Sequence, residues 1–109
     1  MRTLKFIVDG QVIKQDPNCD FDNLVPGTTG YIRAEFSFSP EWNNRTKIAS
    51  FWSRLGKEYK PQILYDGKSC DIPSEALKKR VFKVQILGRK IDDVISTNKV
   101  AVCQNGGKK

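Results

Sequence analysis

Residues 36–52, FSFSPEWNNRTKIASFW, decide the fold of this chain, because they hold both of its tryptophans and three of its six phenylalanines. Phe36 and Phe38 alternate with serines, which is the period-two pattern of a strand with one buried face. Pro40 ends that strand by removing a backbone donor, and two asparagines supply turn chemistry before a second strand begins. The stretch therefore predicts a β-hairpin, with Trp42 at its corner as a plug that closes the end of a core.

Short strands separated by turn residues are predicted on both sides of this stretch. Asp9-Gly10 and Asp66-Gly67 are strong turn signals, and only residues 73–78 could form as much as one helical turn. The other predicted strands are residues 3–8, 11–15, 59–65, 69–72, 81–87, 91–97 and 99–103. This spacing predicts an all-β fold, a single antiparallel β-sandwich (immunoglobulin-like or jelly-roll-like) of about seven to nine short strands.

The length of 109 residues suits one domain with its own core. Residues 1–103 are predicted to form that single β-sandwich domain, and residues 104–109 a polar C-terminal tail. The large apolar side chains at alternating strand positions form the predicted structural core: Phe36, Phe38, Trp42, Phe51, Phe82 and Val84.

The composition argues against several kinds of chemistry. Without a histidine the chain has no imidazole base and no histidine-ligated metal, and it carries no glycine-rich phosphate loop. The three cysteines are far apart, so we expect free thiols in a reducing compartment. Asp16, Asp20 and Asp22 are expected to cap turns, because their spacing is similar to that of a calcium loop but lacks the glycine and the terminal glutamate that such a loop needs. We therefore expect no enzyme, and no catalytic, metal-binding or cofactor-binding residues.

Positive charge is concentrated in the second half of the chain. Residues 1–56 carry seven Lys and Arg against six Asp and Glu, whereas residues 57–109 carry twelve against six, so +1 and +6 give the net charge of +7. Such asymmetry suggests an anionic partner, or simply solubilising loop charges. The predicted partner-binding basic face comprises Lys57, Lys60, Lys78, Lys79, Arg80, Arg89 and Lys90.

This basic face is not expected to be one compact phosphate pocket. The strand from Arg80 to Leu87 should separate its two ends by over about 20 Å, at about 3.3 Å per residue. Exposed aromatic rings for base stacking could come from Tyr31, Tyr59 and Tyr65, but no nucleic-acid-binding motif accompanies them. A broad basic surface fits the pattern better than a phosphate site.

Five segments resemble a domain common in phages and prophages of Firmicutes: FSFSPEW at 36–42, KIASF at 47–51, DIPSEAL at 71–77, FKVQILG at 82–88 and ISTN at 95–98. The chain is similar to small β-sandwich domains encoded among tail, baseplate and receptor-binding genes, and the resemblance covers about residues 3 to 103. It implies a fold and a phage origin, and it supplies no catalytic residues.

The resemblance implies a non-enzymatic phage-encoded structural or protein–protein interaction domain, a tail or baseplate component of the virion. The alternative is an inhibitor of a bacterial defence system, anti-CRISPR-like, that binds a host nuclease or its nucleic acid through the basic face. A third reading is a general binder of single-stranded nucleic acid. We expect a protein partner rather than nucleic acid, and self-association is compatible with the pattern. No apolar run is long enough to span a membrane, so we expect synthesis in the host cytoplasm and, for a structural protein, incorporation into the virion.

Overall fold

Nine strands and two short helical turns form residues 1–104, the part of the chain that the computed structural model describes. The strands are β1 (Arg2–Asp9), β2 (Val12–Gln15), β3 (Ile32–Phe38), β4 (Thr46–Ser53), β5 (Gln62–Ile63), β6 (Ser69–Asp71), β7 (Val81–Lys90), β8 (Asp93–Ser96) and β9 (Val100–Cys103). A 3-10 turn spans Pro40–Trp42, and α1 is a single turn at Ser74–Leu77.

The strands form two sheets. One sheet has the strand order β2-β1-β3-β6, and the other has the order β5-β4-β7-β8. β9 also pairs with β7, along residues 81–84, whereas β8 pairs with residues 87–90. In β7 the buried positions alternate strictly with half-buried ones from Val81 to Gly88, because successive side chains point to opposite faces. The predicted all-β sandwich-like fold is confirmed, with a strand count inside the predicted range.

One strand pair differs from a purely antiparallel sandwich. β1 and β3 run parallel, with Leu4 beside Ala34 and Phe6 beside Phe36. Parallel neighbours need a long crossover, and here β2 and the loop from residue 16 to residue 31 supply it. The loop is anchored by the buried side chain of Leu24. The backbone carbonyls of Asp20 and Asp22 in this loop accept hydrogen bonds from the Arg2 guanidinium.

The prediction of a hairpin over residues 36–52 is wrong. β3 belongs to the first sheet and β4 to the second, so the two strands do not pair. The 3-10 turn Pro40–Trp42 carries the chain from one sheet to the other, because proline ends β3 and the turn directs Trp42 into the core. A hairpin and a crossing between sheets have the same alternation of apolar and polar residues and the same turn residues. The local sequence therefore does not distinguish the two arrangements.

Trp42 closes one end of the core. Its side chain is buried, and its indole Nε1 donates a hydrogen bond to the Gly10 carbonyl oxygen at 2.8 Å. Phe38 is half-buried against it, with ring centroids 5.4 Å apart, and the Lys47 ammonium lies 5.2 Å from the Phe38 centroid. Of the other predicted core residues, the structure buries Phe36, Phe51, Phe82 and Val84.

Gln104, placed by the sequence at the start of a polar tail, is buried, and the remaining predicted tail, residues 105–109, lies outside the described residues. No helix within residues 1–104 has the length and apolar character needed to cross a membrane.

Asp66 organises the turn that leads into β6, and its pKa should report on that turn. Its carboxylate accepts hydrogen bonds from the Ser69 hydroxyl and from the backbone N–H groups of Lys68 and Ser69. The Ser69 hydroxyl is the largest cause, and together these bonds lower the pKa of Asp66 to about 2. Because this pKa is depressed, the stabilisation is present above the unfolded value of about 4 and is lost as pH falls through about 2.

We expect Ser69→Ala to raise the pKa of Asp66 towards the ordinary range, with the turn otherwise retained. The measurement is an NMR titration of the Asp66 side-chain carboxyl carbon in both proteins. An unchanged midpoint in the variant would show that the Ser69 hydroxyl does not hold this carboxylate.

Candidate binding groove

The predicted basic residues are all exposed, but the structure divides them between two ends of the molecule. Lys57, Lys79 and Arg80 line one groove. Arg89 and Lys90 lie at the far end of β7, about 30 Å along the strand from Arg80 at about 3.3 Å per residue. Lys60 and Lys78 are neighbours in sequence of groove residues and do not line it.

The groove, which we call the basic groove, has a volume of about 880 Å³. It lies where the loop after β4, the segment between α1 and β7, and the end of β9 meet. Its lining residues are Ser53, Arg54, Leu55, Lys57, Tyr59, Lys79, Arg80, Val81, Cys103 and Gln104. The volume is within the range of about 300–1,000 Å³ that is typical of small-ligand sites.

The first wall of the basic groove is a tight turn after β4. The Ser53 carbonyl accepts a hydrogen bond from the Gly56 N–H at 3.1 Å, and the Ser53 N–H donates to the Lys57 carbonyl at 2.7 Å. The Ser53 hydroxyl also accepts from the Lys57 N–H at 2.9 Å. Gly56 has a φ of 98°, which a side chain would disfavour. These bonds fix the backbone from which Arg54, Leu55 and Lys57 project.

Gln104 holds the second wall. Its backbone N–H donates to the Arg80 carbonyl at 2.6 Å, and its side-chain Nε2 donates to the carbonyls of Leu77 at 2.8 Å and Lys79 at 2.6 Å. The side-chain Oε1 is buried and has no hydrogen-bond partner among the described residues. One glutamine therefore ties the end of β9 to the segment that carries Lys79 and Arg80.

The lining of the basic groove is strongly cationic. It contains Arg54, Lys57, Lys79 and Arg80, and no carboxylate lies among the lining residues that the structure describes. The salt bridges found within residues 1–104 join Lys5 to Glu35, Arg33 to Asp71 and Arg45 to Asp93, and none uses a groove cation. Clefts lined by charge of one sign concentrate the local potential, so this groove attracts anions.

Sequence reasoning missed Arg54 and Leu55. Residues 53–56 read only as a loop, yet Leu55 is 90% exposed and stands between two cations in the sequence. An exposed leucine flanked by Arg54 and Lys57 is the signal that could have identified this wall. The approach of residues 79–81 and 103–104 to it depends on strand pairing, which no local pattern contains.

The opposite end of β7 is built differently. The Arg45 side chain is 5% exposed and its Nη2 lies 2.7 Å from the Asp93 carboxylate, while its other nitrogens donate to backbone carbonyls, including that of Gly88. The hydrogen bond from Arg45 lowers the pKa of Asp93. This end also carries the β7–β8 turn, where Ile91 is 99% exposed. Here the buried cation has a carboxylate partner, unlike the groove cations.

The three cysteines lie in different environments. Cys70 is buried, and burial raises the pKa of its thiol to about 12, so it is inert as a nucleophile. Cys19 is half-buried beside β1, with its Sγ 3.3 Å from the Lys5 backbone nitrogen. Cys103 is exposed and lines the basic groove. All three are free thiols.

The outward side of the second sheet forms a further surface, which we call the outer face. Strand register places Ile63, Ile48 and Leu87 side by side across β5, β4 and β7. In β8, Ser96 lies opposite Leu87, and Val94 lies diagonal to Leu87, opposite Arg89. At the other end of the face Trp52 pairs with Lys83, and the Lys99 ammonium covers its ring at 3.6 Å. The outer face is thus an apolar row with cations around it.

The outer face meets the basic groove. Val81 and Cys103 are cross-strand neighbours at the end of the sheet and also line the groove. The two surfaces are therefore continuous along β7.

No model of a known protein family matches the chain, and no curated protein matches it significantly.

Proposed function

We propose that this protein is a non-enzymatic interaction domain of phage origin, a tail or baseplate component that docks onto a neighbouring protein subunit. The resemblance of residues 36–42, 71–77 and 82–88 to phage β-sandwich domains supports the phage origin. The outer face supports the docking role. The sandwich acts as a rigid platform, and its specificity lies in the side chains that the second sheet presents.

The apolar row across four strands of the second sheet is the single observation that carries the docking role. Ile63 is 44% exposed and Val94 is 51% exposed, with Ile48 and Leu87 half-buried between them. Single exposed aliphatic residues are ordinary on protein surfaces, but a row of them on one face of a sheet is typical of an interface core. The cations at its margin favour a partner surface whose rim is acidic.

The inhibitor of a host defence nuclease remains the alternative function. An inhibitor would use the same cationic surfaces as a virion component, so the two functions differ in the identity of the bound partner. An inhibitor acts in the host cell and is found with a host protein, whereas a tail or baseplate component is found in purified particles. A gene neighbourhood of tail genes favours the virion, and a cluster of small early genes favours the inhibitor.

We expect the double substitution Ile63→Glu with Val94→Glu to remove the protein from particles. Two carboxylates in the apolar row would have to be buried without partners at the interface, a cost large enough to abolish docking. The measurement is immunoblotting of density-gradient-purified particles from cells that supply the tagged variant in place of the natural protein. Particle association should fall at least about tenfold.

The matched control is Val12→Glu with Val25→Glu, which changes two valines of 56% and 57% exposure outside the second sheet. This control should associate with particles as the unchanged protein does, and thermal melting should show that both double variants remain folded. Equal loss in both variants would contradict a specific outer face. Absence of the unchanged protein from particles, together with recovery on a host nuclease, would replace the proposal with the inhibitor.

A further inference from the structure

We infer that the basic groove is a binding site for an extended acidic peptide segment, distinct from the apolar row of the outer face. This site goes beyond the proposed function, because the groove would take such a segment whatever protein carries it. The ligand has two requirements: carboxylates on both sides of its backbone, and space for an apolar side chain between them.

The positions of the cations set the first requirement. Arg54 and Lys57 project from the turn after β4, whereas Lys79 and Arg80 project from the segment before β7. Successive residues of an extended chain point to opposite sides. Consecutive Asp or Glu residues in an extended segment would therefore direct carboxylates towards both walls at once. A helix whose acidic residues lie on one face would present them to one wall only.

The apolar residues of the groove set the second requirement. Leu55 is 90% exposed and Val81 is half-buried, and both line the groove among the cations. The aliphatic stems of lysine and arginine add apolar surface beneath their charged ends. An aliphatic side chain within the acidic segment would remove Leu55 from water. The occupant is thus an acidic segment with an apolar residue, and not a bare anion.

Nucleic acid fits the groove less well. Binding of single strands relies on exposed aromatic rings on which bases stack. Among the lining residues that the structure describes, Tyr59 is the only aromatic one, and it is 7% exposed. Tyr31 and Tyr65, at 54% and 89% exposure, do not line the groove. The four cations without a stacking surface therefore favour carboxylates of a peptide over a phosphodiester chain.

The test uses the full chain and two fluorescent probes of matched charge. One is a peptide of six glutamates interrupted by a central leucine, with both termini blocked, and the other is a thymidine oligonucleotide with six phosphodiester linkages and no terminal phosphate. Fluorescence anisotropy at about 50 mM salt should show peptide binding, which weakens at least about tenfold at about 300 mM salt because screening is stronger. The oligonucleotide should bind more weakly than the peptide.

Two double variants with the same change of net charge locate the site. Arg54→Glu with Lys79→Glu reverses one cation on each wall and should weaken peptide binding at least about tenfold. Arg89→Glu with Lys90→Glu, at the other end of β7, should change binding less than about threefold. If the groove variant does not fold, Arg54→Gln with Lys79→Gln takes its place, with a loss of at least about threefold.

Three outcomes would overturn the inference: no peptide binding at low salt, equal loss in the two charge-reversal variants, or tighter binding of the oligonucleotide through the same cations. The first two would leave the outer face and its particle-association test unaffected, so failure of this site and failure of the proposed function are distinguishable.

Discussion

Replacing Trp42 with alanine is expected to reduce the free energy of unfolding by about 3–5 kcal/mol. The side chain is fully buried at the end of the core, where it packs against Phe38 and Gly88. Its removal would leave a cavity and would also free the Gly10 carbonyl, which accepts the indole hydrogen bond at 2.8 Å. Urea denaturation followed by circular dichroism measures the change.

Trp52→Ala is the matched control for this prediction. Trp52 is half-buried on the outer face, where the Lys99 ammonium covers its ring, and its indole Nε1 has no hydrogen-bond partner among the described residues. We expect a loss of about 1–2 kcal/mol, since less area is removed and no closed cavity forms. A Trp42→Ala effect below about 1 kcal/mol, or one no larger than that of Trp52→Ala, would show that Trp42 does not close the core.

The second large effect is expected at Gly88, near the C-terminal end of β7. A Cβ atom at this position would lie 2.6 Å from Cζ3 and 2.7 Å from Cε3 of Trp42, and 3.0 Å from Cδ of Arg45. The indole is buried and hydrogen-bonded, so it has no free direction in which to move. We expect Gly88→Ala to destabilise the fold by about 2–3 kcal/mol, because overpacking forces side chains off their preferred rotamers. Urea denaturation again provides the measurement.

A double-mutant cycle shows whether this cost arises from Trp42. In a Trp42→Phe background, the smaller ring leaves room for the methyl group, so Gly88→Ala should cost at least about 1 kcal/mol less than it does beside tryptophan. Additive effects of the two substitutions would contradict close packing of the indole on Gly88. The cycle thus tests the contact that joins the sheet-crossing turn to β7.

Much of the fold could be predicted from the sequence, because strand periodicity and turn chemistry are local. Phe82, Val84 and Ile86 alternate with polar residues, and the structure buries all three. The pairing of the strands was not predictable in the same way. The hairpin expected over residues 36–52 is a crossing between sheets, and the parallel pairing of β1 with β3 depends on a long loop with no periodic signal.

The basic groove could be predicted only in part. The excess of positive charge after residue 56 was visible, and Lys57, Lys79 and Arg80 were among the residues it indicated. Their convergence with Arg54 requires β4, β7 and β9 to be neighbours in one sheet. The same register separates Arg89 and Lys90 from the groove. Charge is a local property of the sequence, whereas a groove is produced by tertiary packing.

The outer face and the basic groove give the second sheet two different proposed roles. The apolar row of the outer face would bury area against a folded partner, and the basic groove would hold a flexible acidic segment of the same or another protein. Because Val81 and Cys103 belong to both surfaces, a single partner could occupy them together. Simultaneous binding at two linked sites increases the apparent affinity without new contacts at either one.

Zero-length carbodiimide cross-linking in purified particles tests the central claim most directly. This reagent joins a lysine to a carboxylate in direct contact, and mass spectrometry identifies both residues. We predict cross-links from Lys83 and Lys99, the lysines beside Trp52 on the outer face, to neighbouring Asp or Glu residues of one particle protein. Cross-links confined to Lys5 and Lys14 of the other sheet, or no cross-link to any particle protein, would contradict the account.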